Sequence, residues 1–79
     1  MTRGDTERAA VRVPPEVHEG LDAVRLSGLT NMLDRPAVAR IAAEMGYAAA
    51  ARWVQENRAL YARGVFCGFE VDGGREEVR

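Results

Sequence analysis

From residue 15 onward the apolar positions recur at helical spacing, and between them sit residues that start and stop helices. Val17, Leu21 and Val24 repeat at i, i+4, i+7 and form one apolar stripe. Pro15 suits a first helical turn, and Glu16 and Glu19 suit its positive end. Gly28 is a natural stop in the left-handed conformation. After the link "LTNML", Asp34 is the expected N-cap of a second helix with Pro36 in its first turn. Val38, Ile41, Ala42 and Met45 share its inner face, Arg40 and Glu44 pair on the outer one, and Gly46 ends it. A third helix is predicted from about Tyr47 to Arg63, closed by Gly64. Its inner face carries Tyr47, Ala50, Ala51, Val54 and Tyr61, and Arg52 and Glu56 form an outward i, i+4 pair.

Two stretches break the helical period. In "AVRVPP", Val11 and Val13 alternate before two prolines, which predicts a short strand. "VFCGFEV" is β-branched and aromatic around Gly68, and reads as extended. It can pair with "VRVP" or with its own copy in a homodimer. The expected fold is mainly α: a small three-helix domain with a short β pair formed by the N-terminal and C-terminal extended segments. Residues 1–10 read as a flexible arm, 11–71 as a single helical domain and 72–79 as a flexible tail.

Composition narrows the classes of function. A chain of 79 residues holds one domain, and such small domains bury only about 60% of their unfolded surface. A dimer, or a partner that completes the core, is therefore in view. All eleven basic residues are arginine, against twelve acids. The resulting net charge of -1 draws the protein onto neither nucleic acid nor an anionic membrane. No apolar leader and no run near the ~20 residues of a membrane span is present, so a soluble, cytoplasmic protein without a membrane partner is expected.

The residue types that carry chemistry are sparse. His18 is the one histidine and lies beside the apolar stripe, with no serine or cysteine motif near it. Cys67, the one cysteine, is expected to be a buried, inert thiol among Val65, Phe66 and Phe69. One His and one Cys fall short of a zinc site. Asp22, Asp34 and Glu44 are spaced for caps and ion pairs. "GVFCGFEVDGG" lacks the GK[ST] ending and the following helix of a phosphate loop. No enzyme, no cofactor and no metal is expected.

"RIAAEMGY" raises the question of DNA. A small residue about four positions before a turn glycine, here Ala42, is what a helix-turn-helix unit uses to bring its helices together. Yet the positions its second helix should bury fall on Arg52 and Gln55, and that helix opens on "YAAAA", which offers base edges almost nothing. DNA binding as a transcriptional regulator is the alternative; two packed helices whose alanines permit close approach is the preferred reading.

"VRLSGLTNMLDRPAVARIAAEMGY" followed by "WVQENRALYARGVFCG" resembles a family of small uncharacterised proteins encoded by bacteriophages and prophages. The resemblance rests on Val24, Arg25, Gly28, Thr30-Asn31-Met32, Asp34, Val38, Tyr61, Val65-Phe66 and Gly68. "SGLTNM" is its most specific part, and the match covers about two thirds of the chain. Two departures are the alanine run 48–51, in place of larger apolar residues, and a longer tail after Phe69. The resemblance implies a phage accessory protein in the cytoplasm of a bacterial host. Such proteins commonly bind and block a host protein or complex, CRISPR effectors among them, so an anti-CRISPR-like inhibitor is the expectation. Arg25, Asn31, Arg52, Trp53, Asn57 and Arg58 are the candidate partner-binding residues, because an exposed tryptophan with nearby arginines has the composition of an interface hot spot.

Overall fold

The computed structural model describes residues 9–72. The expected arm and tail fall outside them, apart from residues 9, 10 and 72. The described chain runs β1 (Val11–Val13), α1 (Pro15–Ser27), α2 (Arg35–Glu44), α3 (Ala48–Glu56), α4 (Arg58–Cys67) and β2 (Phe69–Val71). It is mainly helical, and its two strands come from the two ends of the domain, as the extended segments predict. They lie parallel, with Val11 opposite Phe69, Arg12 opposite Glu70 and Val13 opposite Val71. The pair is tied at both ends: the Val11 amide donates to the Gly68 carbonyl (2.9 Å) and the Asp72 amide to the Val13 carbonyl (2.7 Å). All four helices are thus enclosed between two strands that meet.

The helix punctuation works as the residues dictate. Pro15 opens α1, and Gly28 closes it at φ 69°, a left-handed conformation in which glycine suffers no Cβ penalty. At the start of α2 the Asp34 carboxylate accepts from the Ala37 amide (3.3 Å). Three residues, Met45-Gly46-Tyr47, connect α2 to α3.

The third predicted helix is two. Asn57 leaves helical geometry (φ −124°, ψ 58°), and both its backbone amide and its side-chain Nδ2 donate to the Trp53 carbonyl, at 2.9 and 3.0 Å. Satisfied twice in this way, the end of α3 turns off and α4 begins at Arg58. Gly64 does not end the segment either. It lies inside α4, buried, because a Cβ there would collide with the Phe69 ring. Residues 65–67, expected to be extended, are therefore helical, and the chain turns into β2 at Gly68 (φ 97°).

Valine and alanine make up most of the core, with Leu21, Ile41 and Tyr61 among them. Its fully buried members of largest volume are Val13, Val24, Val38 and Val54, joined by Ala39, Ala42, Ala50 and Ala51. Elements packed on such residues approach closely. On Gly20 of α1, a Cβ would strike the Ala50 Cβ of α3 and come within 2.8 Å of the Tyr47 Cβ. The price of thin contacts is that larger apolar residues are left outside. Leu33 is exposed, and so is Met45, expected on the inner face of α2.

Candidate functional site

A cleft of about 340 Å³ opens between α1 and the α4–β2 corner. Helical periodicity sets its first wall. At about 100° per residue, Val17, Leu21 and Val24 turn α1 toward the core, and His18, Asp22 and Arg25 come next round the helix. Val65 of α4 forms the facing wall, Phe69 the floor, and Met32 of the interhelical link one end.

The link is held by its own polar groups. The Asn31 Oδ1 accepts from the Leu33 amide (2.8 Å), and the Asn31 carbonyl accepts from the Asp34 amide (2.9 Å). Ser27 joins in: its hydroxyl donates to the Val24 carbonyl (2.6 Å) and accepts from the Leu29 amide (3.1 Å). One long-range bond fastens the link to α4, from the Tyr61 hydroxyl to the Met32 carbonyl at 2.5 Å. Burial pushes the Tyr61 phenol up to about 12, so it stays a donor throughout the neutral range. Phe69 packs between Tyr61 (centroids 5.8 Å apart) and Trp53, which meets it edge-on at 6.0 Å and 84°.

The polar equipment of the cleft is His18 and an ion pair, Arg25 to Asp22 at 2.6 Å, with both side chains substantially exposed. Such a pair contributes little to stability. It places a donor fork and a carboxylate at the mouth of an apolar hollow. Hydroxyl and thiol nucleophiles are absent from the cleft lining, and among the described residues no three of His, Cys, Asp and Glu gather in metal-ligand positions.

Several large apolar residues are exposed outside the cleft lining. Leu26 (70% exposed), Leu33 (61%) and Phe66 (79%) each follow a lining residue directly: Arg25, Met32 and Val65. Leu26 also stands one turn beyond Asp22 on α1, on the side away from the core, and Leu29 (66%) lies in the link between them. Phe66 stands one step round α4 from Val65, away from Tyr61. A smaller hollow of about 250 Å³ lies on the other flank of α4, between Leu60, Arg63 and residues 9–12.

The six residues singled out from sequence are dispersed by the fold. Arg25 lines the cleft, and Asn31 sits exposed in the link beside it. Trp53 is half-buried, one ring behind the floor, rather than displayed. Asn57 is half-buried and engaged at the α3–α4 joint. Arg52 and Arg58 are exposed on α3 and α4, and neither lines the cleft. The expected Arg52–Glu56 pair does not form; the ion pairs among the described residues are Asp22–Arg25 and Arg40–Glu44 (3.4 Å). His18, Val65 and Phe69 were missed as site residues. The signal available for them was rotational, since His18, Asp22 and Arg25 share one edge of the apolar stripe. Cys67, expected to be buried, is half-buried.

Fold and site together define a small helical domain, joined end to end by a parallel β pair and carrying an open cleft between α1 and the α4–β2 corner. The chain belongs to the family described as Domain of unknown function (DUF5049), whose model matches residues 15–69. No curated protein and no solved structure matches it. The matched span takes in every residue lining the cleft and leaves β1 outside. It also includes every residue on which the resemblance in the sequence rests, and the fold gives many of these a place. Val24 and Val38 are core, Gly28 and Asp34 are caps, Arg25, Met32, Val65 and Gly68 line the cleft, and Tyr61 ties the link to α4.

Proposed function

We propose that this protein works by stoichiometric protein–protein contact through the face that holds the cleft. In this reading it is a phage-type accessory protein that binds a host protein or complex, with host defence machinery such as a CRISPR effector as the target class. The observation that carries the reading is the exposure of four large apolar side chains, Leu26, Leu29, Leu33 and Phe66, in a small domain whose largest fully buried side chains are valines. Large apolar groups left in solvent by so small a domain are the kind of surface that a protein partner covers. The competing reading, a helix-turn-helix regulator, draws on α2, the Gly46 turn and α3. The outward side of α3 presents one cation, Arg52, beside Gln55 and Glu56, which is poor equipment for phosphates or bases.

The test is affinity capture from a bacterial host lysate with mass spectrometry, run on the wild type and on Leu29→Glu. Recovery of one defence complex by the wild type, lost in a variant that melts at the same temperature, is the expected outcome. Recovery that is indifferent to Leu29, or bare DNA in place of protein, counts against it.

A further inference from the structure

We infer that the hollow on the other flank of α4 binds a doubly charged phosphate group, held between Arg12 and Arg63. Its position follows from two local periodicities. Side chains alternate along β1, so Val11 and Val13 are buried and Arg12 points outward. On α4, Leu60 and Arg63 stand three residues apart and share one side of the helix. Together with residues 9–11 they border a hollow of about 250 Å³, lined by Ala9, Ala10, Val11, Arg12, Leu60 and Arg63. It shares no lining residue with the cleft against α1, so the site stands or falls separately from the proposed protein contact.

Charge identifies the ligand. Guanidinium groups from two separate elements line the hollow, and its lining holds no carboxylate. Among the described residues the ion pairs are Asp22–Arg25 and Arg40–Glu44, so neither Arg12 nor Arg63 is spent on a neighbour. Glu70 stands opposite Arg12 in the strand register and forms no ion pair with it. Each arginine offers a planar fork of donors. One fork is enough for a carboxylate. A phosphate monoester or the free ion has at least three terminal oxygens and close to two charges at neutral pH, which meets two forks and balances two cations. A nucleic-acid phosphodiester carries one charge per phosphate and balances the pair half as well. Leu60 and the methyl groups of Ala9 and Ala10 leave an apolar wall beside the arginines for an ester's organic part.

NMR titration of the isotope-labelled protein with glycerol phosphate, at fixed ionic strength and neutral pH, tests the inference. Saturable shifts of the Ala10, Val11, Arg12 and Arg63 amides are expected, with a Kd of about 1 mM, an affinity that two exposed charge-assisted contacts can supply. Arg12→Gln and Arg63→Gln should each weaken binding about tenfold. Glu70→Gln removes the carboxylate opposite Arg12 and should tighten binding, a gain that a misfolded variant cannot mimic. Binding should also weaken as pH falls through about 6, where the phosphate takes up its second proton. Inorganic phosphate run alongside tells the source: tighter binding of glycerol phosphate assigns an ester resting on Leu60, and equal binding assigns the free ion. Absence of saturation below about 20 mM, or indifference to both arginine substitutions, overturns the inference. So does a single-stranded oligonucleotide that binds more tightly at equal phosphate concentration.

Discussion

Tyr61 shows how much one side chain can integrate. Its ring belongs to the core, it packs against Phe69, and its hydroxyl reaches back 29 residues to the Met32 carbonyl. Tyr61→Phe keeps the ring and removes the donor, so the expected loss is about 1 kcal/mol, the usual net worth of one such bond. The same residue sets an alkaline limit. Its folded pKa of about 12 lies above the ordinary value of 10.0, so the neutral phenol's contribution is complete below pH 10 and is lost as pH rises toward 12. Across that window stability should fall by up to about 1.4 kcal/mol per pH unit. Denaturant melts at pH 9, 10 and 11 should show this fall in the wild type and a flatter profile in Tyr61→Phe. Asn31 is a gentler case. Its Oδ1 holds an exposed turn, so Asn31→Ala should cost about 0.5–1 kcal/mol. A variant with an unchanged melting temperature and abolished partner binding would make Asn31 a contact residue instead.

At the scale of elements, the local signals were legible and the tertiary ones were not. Pro15, Gly28, Asp34 and Gly46 mark their helix boundaries from sequence because each acts through its own backbone or side chain. Val11–Val13 and the stretch around Phe69 were legible as a β pair because few other residues avoid the helical period. The break at Asn57 was not legible: residues 47–63 contain neither glycine nor proline, and asparagine is merely neutral to helix. What ends α3 is the double donation from Asn57 to Trp53, together with the pull of Phe69, against which Trp53 and Tyr61 both pack. Gly64 misled for the related reason that its role is to admit the Phe69 ring. The two helix-interior glycines therefore give a prediction opposite in sign to propensity. Alanine in a free helix gains up to about 1 kcal/mol over glycine. Here Gly20→Ala would press on Ala50 and Tyr47, and Gly64→Ala on the Phe69 ring, so each should lose about 1–3 kcal/mol as overpacking. Chemical denaturation checks both, and Ala50→Gly should recover part of the loss in Gly20→Ala alone, because the clash is between those two Cβ atoms.

For the whole molecule the deciding quantity is charge set against exposed apolar surface. Eleven arginines and twelve acids leave the chain at -1, so no long-range field favours a polyanion. Arg25 is spent on Asp22 and Arg40 on Glu44, which removes two cations from any phosphate-binding surface. The candidate site could be read from sequence only in part, for the same reason that the charge could: composition counts groups but does not say which share a face. Arg52 and Arg58 looked like members of one surface with Trp53, and the turn at Asn57 puts Trp53 behind Phe69 while both arginines stay outside the cleft. A protein that binds through an apolar rim should be nearly indifferent to salt, because few counterions are released when it binds. One that binds phosphates loses affinity linearly in log[salt], with a slope set by the number of phosphates neutralised. Binding to a folded protein target is therefore expected to change little between 50 and 200 mM salt. Random duplex DNA should bind no tighter than ~10⁻⁴ M at physiological salt, the weak end of non-specific association. Fluorescence anisotropy of a labelled duplex across that salt range measures the second, and the same titration with the captured protein target measures the first. A low-micromolar, steeply salt-dependent complex lost on Arg52→Ala or Arg58→Ala would return the α2–α3 pair to the DNA readers, and would leave the exposed leucines and Phe66 without their proposed work.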